Sequence, residues 1–153
     1  MHAEATFRIA RPGEYSRVEA AYAAWGYGGG VSPEDVVYIA EKGEELVAVV
    51  RRTPEHGIVM LRGMYVTPEL QRRGIGSRLL DAFVKGLGGV ACYCVPYTHL
   101  RGFYGRVGFE PLADEAAPNF LRDRLASYRA RGLDVLVMRR PATTSNVLSI
   151  GKA

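Results

Sequence analysis

The residues of this chain best placed to do chemistry are Gln71-Arg72-Arg73-Gly74-Ile75-Gly76-Ser77, lying between an apolar strand pattern and an amphipathic helix pattern. Two glycines stand where the helix would begin, with Arg72, Arg73 and Arg78 around them. A helix start leaves several backbone N–H groups without intrahelical partners and carries a partial positive charge. Removing side chains there lets an anion approach the bare amides, so a phosphate or pyrophosphate is the natural ligand. A solvated helix start could also carry arginines. Cations at a helix N-terminus are, however, unfavourable by roughly some tenths of a kcal/mol, which a bound polyanion would offset. The phosphate reading is preferred.

Two familiar glycine loops fail here. A Walker loop ends in Gly-Lys-Ser/Thr, whereas Gly76 is followed by Ser77 and Arg78. A dinucleotide fingerprint needs a third glycine at position 79, which is Leu79, and an opening βαβ unit, whereas this loop lies mid-chain. The spacing Gln71-x-x-Gly74-x-Gly76 instead resembles the acyl-CoA loop of the GNAT family of N-acetyltransferases. Downstream, Phe103-Tyr104-Gly105-Arg106-Val107-Gly108-Phe109 resembles the Tyr-x-x-x-Gly-Phe segment of that family. The specific likeness covers positions 60 to 110, and the element order extends it to about 6–112.

The resemblance implies an acetyl-CoA-dependent N-acetyltransferase that moves an acetyl group to a primary amine by direct attack in a ternary complex. The amides of Arg72, Arg73, Gly74, Gly76 and Ser77, with Gln71 and Ile75 in the same loop, would cradle the pyrophosphate. Met64, Tyr65 and Val66 would run along pantetheine, and one amide near them could polarise the thioester carbonyl. Tyr104 matches the tyrosine that returns a proton to the departing thiolate. The alternative for Tyr104 is a core aromatic packed on Phe103 and Phe109.

The general base is where the chain departs from the pattern. Some relatives carry a strand glutamate where this chain has Met60, and an asparagine where it has Tyr97. His99, Tyr97 and Tyr93 or water chains remain as candidates, with Glu110 after them; His99 is named because imidazole titrates in the right range. Trp25 and Tyr27, beside Gly28-Gly29-Gly30, could form an aromatic lid over the acceptor or could close the core at a helix end. The competing function is a non-catalytic acyl-CoA-binding regulatory module. The acceptor amine, the length of the acyl group and the oligomeric state are not readable, although the resemblance leans toward a homodimer.

The elements that must position these residues follow from periodicity and turn chemistry. Phe7–Ile9 reads as a strand, and a helix carries Tyr15, Val18, Ala21, Tyr22 and Trp25 on one face. Ser32-Pro33-Glu34-Asp35 resembles a helix start of a single turn, followed by strand from Val36 to Ala40. Further strands are expected over Leu46–Arg51, Ile58–Val66, Val90–Val95 and Leu133–Met138. Helices are expected from Gly74 to Lys85, from Leu100 to Arg106 and from Asn119 to Arg131. The fold class is α/β (α+β): a mixed, mostly antiparallel sheet of six to seven strands flanked by helices, in one domain over residues 1–140 with a flexible tail over 141–153.

Composition sets the outer limits. Net charge is +4 and pI about 9.2, without a basic stripe interleaved with aromatics, so nucleic acid is not the expected partner. No apolar run reaches the length of a membrane span and Met1-His2-Ala3-Glu4 does not open a signal peptide, so the expected location is cytoplasmic. Cys92 and Cys94 share one face of a strand and lack the spacing of a metal knuckle. They read as small core residues, and no metal is expected.

Overall fold

The computed structural model describes residues 4–143, so the part of the expected tail from 144 onward lies outside the described residues. The chain divides into two compact units, at Gly86/Leu87. The first carries four strands, β1 (Ala5–Ile9), β2 (Val36–Lys42), β3 (Glu45–Glu55) and β4 (Ile58–Val66), and two helices, α1 (Tyr15–Ala24) and α2 (Ile75–Leu87), the latter running one residue past the division. The strands pair in sequence order and antiparallel throughout, β1 to β2, β2 to β3 and β3 to β4.

Both faces of this sheet are covered, and β2 shows how. Its consecutive residues Val37, Tyr38, Ile39 and Ala40 are all buried, whereas a strand with one wet face would alternate. Val37 and Ile39 join Val18 and Tyr22 of α1, with Ala10, Leu46 and Val49, in one apolar cluster. Tyr38 instead meets Phe83 of α2 edge to face, with ring centroids 5.4 Å apart. On α2, Ile75, Leu79, Leu80 and Phe83 are buried, the face that the 3.6-residue period predicts. Gly86 completes the fit, because a Cβ there would stand 2.0 Å from the Tyr38 hydroxyl.

The second unit carries β5 (Cys92–Cys94), α3 (Arg101–Gly105), β6 (Glu110–Leu112), α4 (Asn119–Ala130) and β7 (Val137–Arg140). β7 pairs antiparallel with both β5 and β6. Seven strands and four α-helices among the described residues make the mixed α/β fold expected from the element order.

Several boundaries differ from expectation, β3 for one running on to Glu55 instead of stopping at Arg51. The last strand begins at Val137 rather than Leu133, because Val135 makes only an isolated bridge to Tyr97 and Arg129 donates to the Val135 carbonyl. β5 spans three residues instead of six. Ser32–Asp35 forms a turn without a helical turn: the Asp35 carboxylate accepts the Ser32 N–H at 3.0 Å, closing the segment on itself.

Candidate active site

β4 is interrupted where the site is expected. Val49 faces Tyr65 and Arg51 faces Arg62, so Val50 alone stands opposite Gly63 and Met64. Two residues against one is a β-bulge, which lifts part of a strand out of its ladder and re-aims the backbone. Gly63 adopts φ +65°, and a Cβ on it would lie 2.3 Å from the Tyr22 hydroxyl. Only glycine meets both demands.

A buried polar chain braces this bulge. Tyr22 Oη donates to the Gly63 carbonyl at 2.7 Å, and Arg51 Nε donates to Tyr22 Oη at 3.3 Å. Arg51 Nη1 in turn reaches Asp35 Oδ2 at 2.9 Å, with side-chain exposures of 5% and 0%. Period-two alternation places Val49 and Arg51 on the same face of β3, the face α1 covers. Burial raises the Tyr22 hydroxyl well above the ordinary phenol value. It therefore stays protonated and can donate.

After β4 the chain turns through Pro68–Leu70, and the Gln71 side chain donates back to the Val66 carbonyl at 2.9 Å. Gln71 thereby ties the loop to the end of the strand. Arg72 at φ +66° and Gly74 at φ +82° are both left-handed, one of them a non-glycine. Where a left-handed residue follows a right-handed one, successive backbone N–H groups form a concavity suited to an anion; here Arg72 and Gly74 stand on either side of Arg73. The first helical bond of α2 runs from Arg78 N–H to the Gly74 carbonyl at 3.0 Å, so the amides of Ile75, Gly76 and Ser77 precede the ladder. Arg72 and Arg73 are exposed beside them. The guanidinium of Arg78 instead sits 4.4 Å above the Phe7 ring of β1.

The aromatic residues at the end of α1 lie against the same strand. Trp25 stacks on Tyr65 with centroids 4.8 Å apart and planes 10° from parallel. Tyr27 packs on Tyr22 at 4.5 Å, and its ring lies so close to Gly29 that a Cβ there would be 2.4 Å away. Both expected acceptor residues are half-buried at the rim of the α1 cluster, next to Tyr65.

In the second unit, Tyr104 is buried and meets Phe103 and Phe109 edge to face at 5.0 and 5.9 Å. Arg140 Nε donates to the Val107 carbonyl at 2.7 Å, fixing the turn through Gly108, φ +98°. His99 is exposed and stacks on Tyr97 at 5.8 Å. Cys92 and Cys94 are thiols buried in the core, and burial pushes Cys94 well above its ordinary value.

A sequence model described as an acetyltransferase (GNAT) domain matches residues 33–111, more than half of the 153-residue chain, and the match takes in the bulged strand, the loop and the Tyr104 segment. The chain belongs to the GNAT acetyltransferase family. Solved structures agree on the fold of this GNAT domain. Escherichia coli ElaA superposes with a TM-score of 0.64 at 16% identity, covering 90% of this chain and 99% of that one. The ribosomal-protein-S18-alanine N-acetyltransferase of E. coli gives 0.63 at 14% identity, covering 92% and 95%. N-acetylglutamate synthase from Neisseria gonorrhoeae, solved with coenzyme A and N-acetyl-glutamate, gives 0.65 at 18% identity. There the match covers 94% of this chain but 36% of the synthase. Among curated protein sequences, none matches.

The glycine loop is legible in the sequence; the brace is not. Tyr22, Asp35, Arg51 and Gly63 are brought together by strand pairing, and no local pattern joins them. One signal was nevertheless present, a glycine inside the run Ile58–Val66; the pair Arg51-Arg52 after the apolar run Leu46–Val50 does not say which arginine turns inward. Among the described residues no helix is long and apolar enough to cross a membrane.

Proposed function

We propose that this GNAT domain is an acetyl-CoA-dependent N-acetyltransferase that delivers acetyl to a primary amine by direct attack in a ternary complex. The observation that carries the reading is the loop: left-handed Arg72 and Gly74 lead into a helix whose Ile75, Gly76 and Ser77 amides precede its ladder. That donor set suits a pyrophosphate. In this reading the amides from Arg72 to Ser77 hold the pyrophosphate, while Gln71 fixes the loop through Val66. Met64, Tyr65 and Val66 line pantetheine through their backbone. Tyr104 returns a proton to the thiolate, His99 is the candidate base, and Trp25 and Tyr27 contribute to the acceptor side.

A cysteine relay is not part of this reading, because both thiols are buried and Cys94 is held protonated by its apolar surroundings. One observation favours the second reading, an acyl-CoA-binding module without turnover. Met60, at the position of the glutamate some relatives use, is a core residue 1% exposed, so β4 supplies no base there. Product formation from acetyl-CoA over a panel of small amines, amino acids and peptides decides between the two. Turnover on any member supports the enzyme. Tight acetyl-CoA binding without product on the whole panel supports the module.

A further inference from the structure

We propose that Asp35, Arg51 and Tyr22 form a buried hydrogen-bond relay that polarises the Met64 N–H, making it the donor that activates the acyl thioester carbonyl. This rests on the reading of the chain as an acetyl-CoA-dependent transferase, and it assigns positioning roles to three residues outside the loop.

The geometry gives the relay a direction. Asp35 Oδ2 accepts from Arg51, Arg51 donates to Tyr22 Oη, and Tyr22 donates to the Gly63 carbonyl. The Gly63 carbonyl and the Met64 N–H belong to one peptide unit, and the described peptide bonds are trans. In a planar trans peptide the C=O and N–H point in opposite directions, so the Met64 N–H is aimed away from Tyr22. A carbonyl that accepts a strong hydrogen bond draws electron density through the amide and makes its own N–H more acidic. Chains of such bonds strengthen one another in a low dielectric. Arg51, charged and buried, makes the Tyr22 hydroxyl a better donor at the head of that chain.

A simple brace would not need these groups. An ion pair with side-chain exposures of 5% and 0% is costly to desolvate, and apolar residues of similar volume commonly match or exceed its stability. Gly63, the only residue type that fits its φ and its contact with Tyr22 Oη, keeps the bulge and the hydroxyl in register. The Met64 amide is thereby displaced from the regular β3 ladder.

The test is isotope-edited infrared spectroscopy of acetyl-CoA labelled with carbon-13 at the carbonyl, bound to the wild-type chain and to Tyr22→Phe. Wild type lowers the carbonyl stretch relative to free acetyl-CoA, and Tyr22→Phe returns it toward the free value. Calorimetry should show Tyr22→Phe losing roughly fivefold in affinity for acetyl-CoA while affinity for CoA itself stays within about twofold. Replacing Tyr22 by 3-fluorotyrosine, an isosteric and more acidic phenol, lowers the stretch further and guards against a misfolded phenylalanine variant. An unchanged stretch in either variant overturns the relay, as does an equal loss of affinity for CoA and acetyl-CoA, the result of a merely structural brace. If wild type binds no acetyl-CoA, the parent reading falls before any spectrum is compared.

Discussion

At the scale of residues, the loop and the bulge depend on two kinds of left-handed position, and they respond differently to substitution. Gly74 has open space where a Cβ would go but a φ of +82°, so Gly74→Ala costs conformational energy alone, about 1–2 kcal/mol in urea denaturation. Gly63 combines φ +65° with a Tyr22 hydroxyl that an added Cβ would strike, so Gly63→Ala should cost more, at least about 2 kcal/mol. Equal costs at the two sites would contradict this account. Arg72 is already strained at φ +66°, so Arg72→Gly should leave stability within about 1 kcal/mol of wild type. Arg72→Val should lose about 1–2 kcal/mol, because a β-branched side chain crowds that conformation further. Gly74 was legible in the sequence because its requirement is local, a glycine at a helix start. Gly63 was not, because what it must avoid is a hydroxyl carried by α1, 41 residues away in the chain.

At the scale of elements, two junctions decide how the helices sit on the first sheet. Gly86→Ala would ordinarily favour a helix, by about 1 kcal/mol. Here the added Cβ meets the Tyr38 hydroxyl, so thermal unfolding should show destabilisation of roughly 1–3 kcal/mol, partly relieved in the double variant with Tyr38→Phe. No relief would place the strain elsewhere. The second junction ties β1, the start of α1 and β2 through Arg8, Glu14, Glu41 and Arg17. Arg8 grips the Glu14 carboxylate with bonds of 2.7 and 2.9 Å, and the Arg11 N–H adds a third. These hold the Glu14 carboxyl down at about 2. A depressed carboxyl contributes stability above its unfolded value near 4.3, and that contribution disappears as pH falls through about 2. Glu14→Gln should therefore be less stable than wild type at pH 7, by about 1 kcal/mol given the solvent exposure of Arg8, with the gap closing between pH 4 and 2. A gap independent of pH in urea titrations would refute the assignment. The helices were legible because each carries a self-contained apolar stripe and a punctuated end. β5 and β7 were not, since Val90–Val95 and Leu133–Met138 are apolar beyond the stretch that pairs, and only the partner strand sets where a ladder stops.

At the scale of the whole molecule, the proposed function has a GNAT domain recognising its acyl donor largely through backbone. The loop was readable because a bare helix start after a strand leaves a spacing signature. Trp25 and Tyr27 stand out in the sequence beside a glycine run, but their packing on Tyr65 and Tyr22 does not, because those contacts form only in three dimensions and aromatic residues serve cores as readily as ligands. The most direct measurement is calorimetric unfolding of the full chain with and without acetyl-CoA. Ligand at about 100 times its Kd adds about 2.7 kcal/mol, which for a chain of this size raises Tm by roughly 5–10 °C. That rise is the expected result, with most of it lost in Gly74→Ala. No rise with millimolar acetyl-CoA in the wild-type chain would contradict it.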